Sequence, residues 1–193
     1  MIATLATTGG TPTPSQGISA PTATIISAVI ALVTAGIVSL VTNALTHKRE
    51  RNTYRRELNL KRLNELYGPL KLLLDQNKVL SAQLKEGRLD DWHILDHVSE
   101  IKGDVDDKAI VDQILAINKK IVGILEEKSG LCLIPIPDSF SKFLGHYGML
   151  SRALAGQSVV RNSTYEYFPK KFEADVLEGY NTLAANLKKE SGE

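Results

Sequence analysis

From Ile2 to Thr46 the chain has no ionisable side chain, and it then reads His47-Lys48-Arg49-Glu50-Arg51. Inside the uncharged part, Thr22 to Leu45 is a run of Ile, Val, Leu, Ala, Thr, Ser and Gly interrupted only by Asn43. A bilayer core needs about 20 consecutive apolar residues in a helix, so this run predicts a membrane span over residues 22–46. Everything else in the chain has to be arranged around that constraint.

The flanks orient the span. Residues 1–21 are rich in Thr, Pro, Ser and Gly and have no Lys or Arg, which predicts a flexible tail. The other flank holds Lys48, Arg49, Arg51, Arg55, Arg56, Lys61 and Arg62 against Glu50 and Glu57. Basic residues stay on the cytoplasmic side, so the tail is expected outside the cell membrane and residues 47–193 in the cytoplasm. A cleaved signal peptide is the main rival, with Thr42-Asn43-Ala44 as a loose cleavage site. It would need a basic leading region and a shorter apolar run. A soluble protein that buries the helix is the remaining alternative.

Within the span, Ser27, Ala31, Ala35 and Ser39 repeat every four residues, flanked by Gly36. Small residues on one face let two helix backbones approach closely in lipid, so self-association into a homo-oligomer is expected there. Lys48, Arg49, Arg51, Arg55 and Arg56 form a collar expected to meet anionic lipid headgroups. Nucleic-acid binding is not expected, because the basic face ends with the collar. The net charge is +1, the collar to Arg62 carries +5, and residues 63–193 are left with −4.

The next segment, residues 47–86, predicts a helix belonging to the domain. Leu63, Leu66, Leu70, Leu73, Asn77, Leu80 and Leu84 alternate three and four apart, a heptad seam with one polar member. Leu60, Tyr67 and Leu74 widen that face, which suits a bundle better than an isolated coiled coil. The seam keeps its phase across Gly68-Pro69, predicting one helix bent there as a kink or hinge, where the proline removes a hydrogen bond to Glu65.

Residues 87–190 complete the expected bundle. Leu89–Ile101 predicts a short amphipathic helix begun by Asp90-Asp91, with Gly103-Asp104 ending it and capping the next. The following helix has two stripes: Ile110, Ile114, Ile117, Ile121 and Ile124, and Val111, Leu115, Val122 and Leu125. Two stripes mark it as central. Leu131–Pro137 is an apolar extended connection, with a strand conceivable over Leu131–Ile134. A helix carrying Phe140, Phe143, Leu144, Tyr147, Met149, Leu150 and Leu154 follows. The last helix is expected to bury Tyr165, Phe168, Phe172, Val176, Tyr180, Leu183 and Leu187. The fold class is therefore all-α: one N-terminal transmembrane helix running into a kinked juxtamembrane helix and a cytoplasmic four- to five-helix bundle.

Chemistry-bearing patterns are sparse. Asp90, His93, His97 and Glu100 would share one helix face and could hold a divalent metal, although the same spacing describes a solvated polar face. Cys132, the sole cysteine, rules out an intrachain disulfide and reads as a small buried hydrophobe. No phosphate-binding glycine loop, nucleotide fingerprint or catalytic triad is present, and no cofactor is implied. The residues thus favour a non-enzymatic, membrane-anchored interaction or scaffold module with an unknown protein partner. A membrane-perturbing effector or small channel subunit is the first alternative. A helical metalloenzyme using His93 and His97 is the second.

Overall fold

Alternation of apolar residues at three and four places, with glycine and proline between the runs, should yield helices and little else. That is what the chain forms. A computed structural model describes residues 20–89, 91–160 and 164–191, with side chains from Leu32 onward. Six helices are described: α1 (Ala20–Arg62), α2 (Gly68–Lys85), α3 (Val98–Gly103), α4 (Val105–Lys128), α5 (Asp138–Leu154) and α6 (Lys170–Ser191). There is no strand among the described residues: Leu131 ends a short 3-10 turn (Ser129–Leu131), and residues 132–134 are irregular. The chain divides into two compact units, Met1–Arg51 and Asn52–Glu193, so the collar straddles the division.

The first unit contains α1 up to Arg51. Every described side chain from Leu32 to Glu57 is exposed, including Leu32, Ile37, Leu40 and Leu45. Thr42 donates its hydroxyl to the Val38 carbonyl at 2.8 Å and Thr46 to the Thr42 carbonyl at 2.9 Å, so both hydroxyls are satisfied within their own helix. No helix among the described residues is long and apolar enough to cross a membrane. The expected span begins at Thr22, and its side chains before Leu32, Ser27 and Ala31 among them, lie outside the described residues. Residues 1–19 of the expected tail lie outside them too.

In the second unit, α2 packs on α4 and α6, and α5 closes against both α4 and α6. The main core joins Leu66, Tyr67, Leu70 and Leu74 to Ile121 and Leu125, to Phe140 and Phe143, and to Phe172, Val176 and Leu183. Phe143 and Phe172 stack at 4.4 Å between centroids, with Phe140 edge-on to Phe172. A second cluster gathers Leu84, Trp92, Ile101, Val111 and Ile114; a third gathers Leu95, Met149, Leu150 and Ala153.

The bend expected at Pro69 takes a specific form. Leu63–Tyr67 is a single π turn between α1 and α2, and the Gly68 N–H bonds to the Leu63 carbonyl, five residues back. Widening the turn makes room for the proline, whose ring would otherwise press on the carbonyl four residues before it. Gly68 is required there: a Cβ would lie 2.7 Å from the Leu63 carbonyl oxygen. The seam is otherwise as read, with Leu66, Leu70, Asn77 and Leu84 buried and Leu63, Leu73 and Leu80 half-buried.

Three expectations need correction. Residues 89–101 are not one helix: His93 is extended (φ −130°, ψ 141°), Ile94–Asp96 is a 3-10 turn, and only Val98–Gly103 is α-helical. Propensity yields to packing here: Trp92 and His97 stack at 5.1 Å, whereas on one regular helix residues five apart lie about 140° apart around the axis. The buried stripe of α4 is Val111, Ile114, Asn118, Ile121 and Leu125, a polar residue included, with the expected outer members half-buried. The last helix begins at Lys170, so Tyr165 and Phe168 lie in the segment before it and Tyr165 is exposed. Asp104 does cap α4, accepting from the N–H groups of Asp106 and Asp107 at 2.9 Å each.

Candidate functional site

The three clusters do not merge, and where they meet there is a cavity of about 310 Å³. Leu74 lines it from the main core, Leu84, Trp92 and Ile114 from the second cluster, and Leu95 and Leu150 from the third. Its polar lining includes Asn77, Ser81, Asn118 and His146, and Lys78, Lys85, Lys170, Glu166 and Glu173 complete the charged part.

The amide pair belongs to the α2–α4 interface. Asn77 donates from Nδ2 to Oδ1 of Asn118 at 2.6 Å, both residues being buried. Asn77 Oδ1 is buried with no hydrogen-bond partner of its own. An unsatisfied buried amide oxygen costs on the order of 1–3 kcal/mol, so the pair is retained against a penalty.

One wall comes from the segment before α6, pinned to α5 in two ways. The Tyr165 ring lies where a side chain at Gly145 would be, a Cβ there standing 2.5 Å from the ring. The Tyr165 carbonyl also accepts from His146 Nδ1 at 3.0 Å. Burial holds the His146 pKa below the usual histidine range, with the carbonyls of Tyr165 and Glu166 acting the other way. The imidazole is therefore neutral at pH 7, with Nδ1 as the protonated nitrogen.

Another part of the lining is Trp92, whose ring is held by its neighbours. The Arg88 guanidinium lies 4.5 Å from the indole centroid, and the His97 ring stacks at 5.1 Å with an interplanar angle of 11°. Arg88 is itself fixed by the Leu84 carbonyl and the Asp107 carboxylate. His93 faces Tyr167 at 4.5 Å between rings, joining the two non-helical segments. Lys78 bridges to Glu173 at 2.9 Å, while exposed Lys85 and Lys170 make no ion pair among the described residues.

The residues singled out from sequence are dispersed. His97 pairs through Nδ1 with Glu100 Oε2 at 2.9 Å and stacks on Trp92, whereas His93 points its ring at Tyr167. The shared helix face on which the metal candidates rested does not exist, and Asp90 lies outside the described residues. No group of three or more His, Cys, Asp or Glu able to hold a metal occurs among the described residues. Lys48, Arg49, Arg51, Arg55 and Arg56 are exposed along α1, as are Ala35, Gly36 and Ser39. Cys132 is buried and its thiol pKa is pushed up by that burial, which leaves the thiol protonated.

Asn118, His146 and the Trp92 wall were not selected from sequence. Asn118 could have been: the spacing 111, 114, 118, 121, 125 is itself a heptad with one amide, the counterpart of Asn77 in the facing seam. His146 carried no such signal. No protein-family model, curated protein or solved structure matches the chain.

Proposed function

We propose that the chain is a membrane-tethered helical module. Residues 22–46 span the bilayer, the tail lies outside, the collar lies among headgroups on the cytoplasmic side, and the bundle presents surfaces to a protein partner. The observation that supports this most directly is the exposure of α1. Leu32, Val33, Ile37, Val38, Leu40, Val41 and Leu45 are all large, apolar and exposed. At 100° per residue they cover about 240° of the helix circumference. Such a surface in water is a liability, and lipid is the environment that suits it.

The remaining arc of about 120° is occupied by Ala35, Ser39, Thr42 and Thr46, with Gly36 and Asn43 flanking it between Leu32 and Leu40. A narrow small-residue strip beside a wide lipid-facing one is the arrangement that favours helix–helix association in a bilayer, with Ser27 and Ala31 continuing it. Self-association through Ser27, Ala31, Ala35, Gly36 and Ser39 is part of this proposal.

The test is topological. A reporter active only in the cytoplasm should work when fused after Glu193 and be silent when fused before Met1, and the chain should stay with membranes after alkaline washing. Recovery of the intact chain in the soluble fraction overturns the proposal. For association, Ala35→Leu should reduce crosslinked oligomer while Ile37→Leu does not; equal effects refute the assigned face.

A further inference from the structure

We propose that the cavity at the junction of the three core clusters binds a small amphipathic organic anion, its apolar body inside and its anionic group at the lysine mouth. This is independent of whether α1 spans a membrane.

The size argues first. The cleft is about 310 Å³, which lies within the range of small-molecule sites. It is not a flaw inside one cluster. It opens where two irregular segments, around His93 and around Tyr167, replace helix against helix, and both are pinned: Trp92 by Arg88 and His97, Tyr165 by Gly145 and His146. Walls held this firmly fix the shape of the cleft before any ligand binds.

The lining gives the class. Leu84, Trp92, Ile114 and Leu150 make the interior mainly apolar, which excludes sugars and nucleotides as the buried part. Both faces of selection at the mouth point to an anion. Glu173 is already matched by Lys78, while Lys85 and Lys170 are exposed without an ion-pair partner among the described residues. The lining holds three lysines against two glutamates, with His146 neutral, so it is positive overall. Glu166, buried and with an interaction of its own, sets a limit on how far an anionic group can enter.

Trp92 is the only tryptophan in the chain, so its emission reports directly on the cavity. The probe is 4-phenylbutyrate, added to the full chain in lipid nanodiscs, with empty nanodiscs as the blank for partitioning. The expected result is a saturable change in Trp92 emission with a Kd below about 1 mM. 4-Phenylbutylamine should bind at least about tenfold more weakly. Ser81→Phe, from a half-buried position on α2, places a ring in the cavity and should weaken the probe by about tenfold or more. The exposed pair Lys85→Glu and Lys170→Glu should reverse the preference between acid and amine without unfolding the bundle. No saturable change beyond the blank means a cavity filled by water, and overturns the proposal. Tighter binding of the amine to the unaltered chain, or equal binding by Ser81→Phe, overturns it as well.

Discussion

Gly179 in α6 faces the ring of Tyr67, and a Cβ added there would stand 2.2 Å from Tyr67 Cε1. Tyr67 is 1% exposed and accepts a hydrogen bond from the Leu133 N–H at 3.0 Å, so its ring has no free direction in which to withdraw. In a helix interior Gly→Ala is ordinarily stabilising by about 1 kcal/mol, because glycine loses more backbone freedom on folding. Forcing a methyl into a filled core costs about 1–3 kcal/mol or more, and a contact this short belongs at the upper end. Gly179→Ala should therefore destabilise the bundle by about 1–2 kcal/mol net. With a urea slope of about 2 kcal/mol per molar, the midpoint should fall by about 0.5–1 M. Gly123→Ala, where a Cβ meets nothing within 4 Å, should raise it instead. Urea titration followed by Trp92 emission measures both. In a Tyr67→Leu background the added methyl has room, so the Gly179→Ala penalty should shrink in a double-mutant cycle. If Gly179→Ala stabilises as Gly123→Ala does, the close approach of α6 to Tyr67 is wrong.

Other consequences are equally open to measurement. Asn77→Leu alone should cost about 1–3 kcal/mol by leaving Asn118 without its partner, while Asn77→Leu with Asn118→Leu should be near neutral in the same urea assay. A larger penalty for the double change would refute the amide pairing. His146 has a lowered pKa in the folded state, so the unfolded chain binds its proton first. Stability should be level above about pH 6.5, fall as pH drops through that value, and level off again below the folded pKa. His146→Phe should remove that component of the pH profile; an unchanged profile would show that the imidazole is not buried neutral. Asp104→Ala should cost about 1 kcal/mol through loss of the α4 cap, visible as a lower urea midpoint.

How far the sequence discloses this molecule varies by region. In α2 apolar spacing located both the helix and its buried leucines; in α5 it located the helix with Phe140, Phe143, Met149 and Leu150, whereas Leu144 is exposed. Across residues 89–101 the same kind of spacing misled, because the stacking of Trp92 on His97 needs an extended His93 and a 3-10 turn that apolar periodicity does not encode. The form of the bend at Gly68-Pro69 depends on how one carbonyl is accommodated, which residue type alone does not state. The cavity was invisible for a related reason. Its walls come from five separate stretches of chain, and no one of them carries a recognisable motif.

The amide pair also governs how the helices may slide. Asn118 lies between Ile114 and Ile121 along the α4 stripe, so moving α2 by one turn would put Asn77 opposite an isoleucine and strand two amides at once. At about 1–3 kcal/mol for each stranded group, such a slip costs a large share of a small bundle's stability. Leucine alone would fit nearly as well one turn up or down the seam. A single polar contact thus discriminates among alternatives that hydrophobic packing leaves close in energy, and it does so by penalising the wrong alignments rather than by rewarding the right one.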